Sequence, residues 1–235
     1  MESAPTQMNI VFDFGCVLVD LDKQRCVEAF KAIGAGAVSA YVDECRQEDL
    51  FHDLETGAIT VEEFCCEVRR KSPGCTATDA QICHAWNALL TGIPQRRIER
   101  LVDLGLRHRL FLLSNTNAIH WTKAVADYFP YDGKNVTDYF QGIFLSYEMH
   151  MVKPETAIFE QMLHQAGIDA ADTLFIDDSP ANCAAAEALG IRSLHVRTGD
   201  EWLSLPLSSS EGATGIGPHS GATGTGPHIY DYGNA

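Results

Sequence analysis

The sequence predicts an α/β fold: a doubly wound parallel sheet with a helical subdomain inserted after its first strand. Three observations carry this. Five short apolar runs have the length and composition of buried parallel strands, namely Asn9–Phe12, Leu110–Leu113, Ile143–Leu145, Thr173–Ile176 and Ser193–Val196. Helical signals lie between the last four, and strands alternating with helices build a parallel sheet. The interval between the first two runs is too long for one crossover helix, and it carries several amphipathic segments instead.

Those segments are Val27/Phe30/Ile33, Val61/Phe64/Cys65/Val68 and Ile82/Trp86/Leu89, each with the three-and-four spacing that buries one face. They place a helical subdomain at residues 20–92, with a core of residues 1–19 and 93–207. Ile98/Leu101/Val102 belong to a helix that returns the chain to the sheet. Another helix is expected over Asn117 to Phe129. Lys153-Pro154 is expected to open a third, with Ile158, Phe159, Met162 and Leu163 as its apolar stripe before Gly167. Ser179-Pro180 starts an alanine-rich helix that ends at Leu189-Gly190. From Ser208 onward the repeats GATGIGPH (Gly212–His219) and GATGTGPH (Gly221–His228) bury too little apolar surface to offset their ordering entropy, so residues 208–235 read as a disordered tail. His219 and His228 are part of that composition rather than a metal pair.

Composition narrows the partners. The 235 residues hold 17 basic and 32 acidic side chains, a net charge of −15. Such a surface repels nucleic acid and anionic lipid, so neither is expected as a partner. Asp13 interrupts the longest apolar candidate, Ile10 to Leu21, and no run is long enough to cross a bilayer. The opening MESAPTQ lacks the positive charge of a secretion signal, so a cytoplasmic location is expected. Eight cysteines without a C-x-x-C pair read as free thiols packed as small apolar groups, Cys16 included. Trp86 and Trp121 read as packing residues. Nothing in the chain demands more than a monomer.

In an open parallel sheet, ligands bind at the carboxyl ends of the strands. Asp13 follows the first apolar run, and Ser114, Asn115, Thr116 and Asn117 follow the second. Ser146 follows the third, with Lys153 a few residues on, and Asp177-Asp178 follow the fourth. Three carboxylates with one lysine suit a hard divalent cation with oxygen ligands, and magnesium favours one or two carboxylates plus substrate phosphate. A hydroxyl, an amide and an ammonium suit phosphoryl oxygens, and a carboxylate facing phosphorus can act as a nucleophile.

The segment FDFGCVLVD (Phe12–Asp20) resembles motif one of the haloacid dehalogenase superfamily, and LLSNTN (Leu112–Asn117) resembles motif two. Lys153 of MVKPE matches motif three, and FIDDSPANC (Phe175–Cys183) matches motif four. The order is the superfamily's, over about 200 residues. The subgroup most similar in these motifs and in FHDLETGAIT (Phe51–Thr60) contains the sugar-phosphate phosphatases related to bacterial alpha-glucose-1-phosphatase and the phosphatase half of soluble epoxide hydrolases. The resemblance implies a Rossmann-like core with a helical (C1-type) cap. It also implies a magnesium-dependent phosphatase acting on a small phosphorylated molecule such as a hexose 1-phosphate. By position, Asp13 would be nucleophile and metal ligand. Ser114 and Asn115 would bind the phosphoryl group, and Lys153 would pair with that group and with the nucleophile. Asp178 and the Gly15 carbonyl would ligate the metal directly, with Asp177 acting through water.

One position departs from the pattern. Most phosphatases of the superfamily carry a second Asp two residues after the nucleophile, as general acid and base, and here it is Gly15. Its loss predicts a preference for leaving groups that depart unprotonated, unless a cap side chain such as His52 or Glu55 substitutes. Three rival functions follow. A metal-independent dehalogenase also lacks the second Asp, but Asp177-Asp178 count against it. A catalytically weak phosphosugar-binding protein is suggested by Gly15 alone. A signalling receiver domain places its acidic pair after the first strand, the reverse of the order here.

Overall fold

The computed structural model describes residues 7–44 and 50–205; the Gly/Thr/Pro repeat with His219 and His228 lies outside them. The fold is mixed α/β. Strands β1 (Asn9–Phe12), β4 (Arg109–Ser114), β5 (Gly142–Leu145), β6 (Thr173–Asp177) and β7 (Arg192–His195) form one sheet in the order β5-β4-β1-β6-β7. Every pairing in it is parallel, and Phe12 sits opposite both Leu112 and Ile176. All four β1 residues are buried, which is why the strand reads as a continuous apolar run rather than an alternation. Ile10 and Phe12 face one apolar cluster with Leu112, Ile98 and Phe129, whereas Val11 faces another with Phe111, Ile158 and Phe175.

Helices α6 (Gln95–Gly105), α7 (Ala118–Asp127), α8 (Val136–Tyr139), α9 (Ser146–Met149), α10 (Thr156–Ala166) and α11 (Pro180–Ala188) accompany this sheet. Between β1 and β4 the chain makes an antiparallel ribbon of β2 (Asp20–Leu21) and β3 (Leu90–Gly92). Among the described residues, five helices are strung between the two ribbon strands: α1 (Lys23–Ala32), α2 (Gly36–Glu44), α3 (Leu50–Glu55), α4 (Val61–Lys71) and α5 (Asp79–Asn87). They share an apolar cluster of their own, with Phe30, Phe51, Phe64, Ile82 and Trp86 in it. Capping boxes start two of them, Thr60 with Glu63 and Thr78 with Gln81. The ribbon strands are too short for a periodicity to reveal.

Two local expectations are corrected. Lys153-Pro154 does not open a helix; α10 begins at Thr156, and the two residues form the turn before it. A residue preceding proline is disfavoured in the α region, and the Lys153 backbone is bonded elsewhere, as the site shows. Nor are all the cysteines buried filler: Cys66 is exposed and Cys16 is half-buried. Among the described residues no helix is long and apolar enough to cross a membrane.

Candidate active site

The strand order reverses at β1, so the chain segments leaving β1, β4 and β6 converge on one edge of the sheet. Asp13 leaves β1 with its backbone N–H still bonded to Ile176 O at 2.9 Å. The loop behind it is held by Leu18 and Val19 N–H groups donating to Phe14 O, both at 2.9 Å, and is anchored by buried Phe14, Val17 and Leu18. Within this loop Cys16 adopts a left-handed backbone, φ +56°.

Lys153 joins the strand ends. Its Nζ donates to Asp13 Oδ1 at 2.7 Å, to Asp177 Oδ2 at 2.6 Å and to Leu113 O at 3.1 Å. Lys153 is 4% exposed, Asp13 8% and Asp177 0%. Asp177 Oδ1 accepts from the Ser179 N–H at 2.8 Å and from Asn182 Nδ2 at 3.0 Å, so both its oxygens are held by protein donors. Asp178 is half-buried and accepts a hydrogen bond from the Cys16 thiol.

Three carboxylates face one ammonium, and water is largely excluded. Burial pushes the Asp13 carboxyl up to about 7; Lys153 pulls it back, while Asp177 and Asp178 add to the rise. Burial, then Asp177, raises Asp178 to about 6. For Lys153 burial works against the charge, but Asp13 and Asp177 outweigh it and hold the ammonium protonated. The cluster thus carries an excess of negative charge in a dry place. Asp13, Asp177 and Asp178 each present a carboxylate oxygen within 4.8 Å of the others. An all-oxygen, negatively charged donor set of this kind fits a hard divalent cation.

The other expected residues take varied places. Asn115 clamps the lysine turn: its Nδ2 donates to Lys153 O and its Oδ1 accepts from Lys153 N–H, each at 2.9 Å. The Ser114 hydroxyl is fully buried, donates to Asn115 O at 3.3 Å, and does not line the cavity beside Asp13. Gly15 lines that cavity, and its carbonyl accepts from Val17 N–H at 2.7 Å. His52 and Glu55, on α3, line it as well.

Three further residues shape the site, of which only Ser146 is expected at this edge of the sheet. Ser146, fully buried, accepts from Thr116 N–H at 2.9 Å and lies 2.6 Å from Glu55 O, tying the α3 end to the β4 loop. His120 lines the cavity, stacks on Trp86 at 4.4 Å, and reaches Trp86 O through Nε2 at 3.1 Å. Its Nδ1 faces Asn117 Nδ2 at 3.3 Å, so Nδ1 accepts and Nε2 carries the proton. Burial lowers this imidazole to about 4 against the pull of the Trp86 carbonyl, which leaves it neutral near pH 7. Asn182, which holds Asp177, is the third. Only the SPAN helix start hinted at it, since Ser179 caps α11 through the Asn182 N–H. Trp86 is both a packing residue and part of the cavity wall.

Residues 8–190 match the model of the haloacid dehalogenase-like hydrolases. The chain is 31% identical to a D-ribitol-5-phosphate phosphatase of Bacteroides thetaiotaomicron, over 83% of its own length and 94% of the relative's. A haloacid dehalogenase family enzyme of the same organism, solved in complex with magnesium and inorganic phosphate, superposes with a TM-score of 0.79. It is 40% identical and covers 84% of this chain and 98% of that one. A sesquiterpene phosphatase of Aspergillus oryzae is 42% identical over 59 residues, 25% of this chain and 30% of the relative.

Proposed function

The chain belongs to the haloacid dehalogenase-like hydrolase family, and on that premise we propose that it is a magnesium-dependent phosphomonoester hydrolase with Asp13 as nucleophile. The observation that carries the reading is the buried trio Asp13, Asp177 and Asp178 with Lys153 Nζ bridging two of them. The relative solved with magnesium and phosphate supports it.

Lys153 fixes one oxygen of Asp13 and leaves the other for attack on phosphorus. The P–O ester bond breaks as the aspartyl phosphate forms, and water then cleaves that anhydride to phosphate and free Asp13. Lys153 offsets charge on the transferring group, with the Asn115 clamp holding its backbone in place. Asp177 serves as the positioning group, because its oxygens are spent on Lys153, Ser179 and Asn182. Asp13 and Asp178, with the Gly15 carbonyl, would hold magnesium, and Asp177 would face its hydration shell. The ion supplies charge neutralisation at the phosphoryl oxygens. The helices between Lys23 and Asn87 act as a cap over residues 93–205 and the opening strand.

Asp13→Asn keeps the shape and removes the nucleophile. It should lower phosphate release from phosphomonoesters by at least about 10³-fold, as should chelation of magnesium. Turnover that persists in both cases would refute Asp13 as the nucleophile and the dependence on magnesium, and halide release in chelator would favour a dehalogenase. The motifs resemble those of phosphatases acting on small sugar phosphates such as a hexose 1-phosphate, but they supply the phosphoryl site and do not fix the leaving group. The polyol-phosphate and terpene-phosphate relatives share only the phosphate chemistry, so they leave the leaving group open.

A further inference from the structure

The cavity beside Asp13 has two unlike halves. On the sheet side most of its polar groups already have protein partners, the Thr116 hydroxyl and the Asp178 carboxylate being the groups left to face a ligand. Asn115 is bonded to the Lys153 backbone, Lys153 to two carboxylates and a carbonyl, Asn182 to Asp177, and both His120 ring nitrogens have partners. The half contributed by the ribbon and the inserted helices is apolar, formed by Leu21, Val42, Phe51, Trp86, Leu89 and Leu90. All but Leu21 are buried, and the Phe51 and Trp86 rings lie 4.4 Å apart. Polar groups on this half are the His52 and Glu55 side chains and the buried Trp86 Nε1, which has no partner among the described residues.

A polyol bound here would bring several hydroxyls to a wall with few partners. Each hydroxyl buried without one costs about tenfold or more in affinity. An apolar group gains instead, by about fourfold for each methylene taken from water. The cavity volume, ≈ 220 Å³, matches a modest group rather than a large one.

We propose that the natural ester carries an apolar leaving group, a single aromatic ring seated against Val42, Phe51 and Trp86, which can depart without the acid that Gly15 lacks; alkyl esters turn over more slowly but still read the wall. The proposal rests on the phosphomonoester hydrolase reading and specifies its substrate class.

The test compares primary esters of similar leaving-group acidity, so that the wall and not the departing alcohol is read. With magnesium saturating, kcat/KM is measured for ethyl, butyl, hexyl and benzyl phosphate and for ribitol 5-phosphate. Esters that turn over slowly are read as competitive inhibitors of phenyl phosphate hydrolysis. The expected result is a rise of about fourfold per methylene from ethyl to butyl, with hexyl and benzyl phosphate at least tenfold better than ribitol 5-phosphate. Val42→Thr, which keeps the side-chain volume and adds a hydroxyl, should cut the hexyl-to-ethyl ratio about fivefold; the wild-type ladder decides alone if that variant does not fold. A flat ladder, or ribitol 5-phosphate outpacing hexyl phosphate, overturns the proposal and leaves the hydrolase intact. Absence of phosphate release from every ester, phenyl phosphate included, overturns both.

Discussion

A side chain can be built on Gly15. Its Cβ would meet Leu21 Cδ1 at 3.5 Å, ordinary van der Waals contact, and its φ lies outside the left-handed region. The general acid missing from this position is therefore a matter of residue type, not of backbone strain. In the wild type, kcat/KM should fall steeply as the leaving-group pKa rises. Gly15→Asp should raise rates on alkyl phosphates by about 10²-fold while barely changing aryl phosphates. A plot of rate against leaving-group pKa for both proteins checks this, and identical slopes would refute it. Protonation of the cluster gives a second prediction. Asp13 titrates at about 7 and Asp178 at about 6, both raised chiefly by burial, so protons compete with the cation for the same oxygens. Magnesium affinity measured by calorimetry should weaken as pH falls through 7 to 6 and level off above that range. The folding linkage has the same origin. A carboxyl raised above its unfolded value of about 4 stabilises the metal-free fold at low pH, and this contribution is lost as pH rises through 6 to 7. Magnesium should therefore lift Tm clearly at pH 7.5 and little at pH 5.

Among the elements, the turn after α3 and the short helix α9 fix how the inserted helices meet the sheet. Gly57 has φ +67°, and a Cβ there would lie 2.2 Å from Tyr147 O and 3.1 Å from His150 Nδ1. Beside it the Thr56 carbonyl accepts from His150 Nδ1 at 3.0 Å, and Ser146 Oγ sits 2.6 Å from Glu55 O. Gly57→Ala combines left-handed strain with overlap against backbone, so the loop must lift away. A loss of about 2–4 kcal/mol is expected, read from the urea midpoint at constant m-value. Nothing in the FHDLETGAIT segment by itself shows that α9 lies against this turn.

On the scale of the molecule, Arg97 connects three distant pieces. Although 1% exposed, it donates to Leu18 O at 3.1 Å, Asp20 Oδ1 at 2.7 Å and Asp200 Oδ1 at 2.9 Å. These belong to the nucleophile loop, the ribbon and the C-terminal turn. Trp202 reinforces the same closure through Nε1–H to Val17 O at 3.2 Å and an edge contact with Phe12. Both acids remain partly solvated, with side-chain exposures of 50% and 35%, so breaking the pairs costs less than in a fully buried pair. Arg97→Met should lower stability by about 1–2 kcal/mol, and Arg97→Lys should recover little because one ammonium cannot reproduce the planar fork. Thermal unfolding of the two variants checks this; full recovery by lysine would contradict the geometry.

Local sequence was enough to place the five strands of the parallel sheet and the polar residues at their ends, though not the short ribbon. Buried parallel strands must be apolar on both faces, and a polar residue after such a run marks where the strand meets solvent or ligand. That is why Asp13, Lys153, Asp177 and Asp178 were legible one by one. The Ser179-Pro180 helix start was legible for the same local reason, whereas Lys153-Pro154 looked like a start and is a turn. Tertiary structure alone decided what these groups do to one another. Lys153 reaches Asp13 across 140 residues, and Asn115 clamps the lysine turn across 38. Ser146 meets Glu55 across 91, and Trp86 meets His120 across 34. These contacts leave no periodic trace in the chain, and the spacing of Trp86 and Leu89 showed a buried face but not the cavity it lines. They arise only when separate segments pack, because hydrogen bonds and buried charge depend on distance in space and not along the sequence.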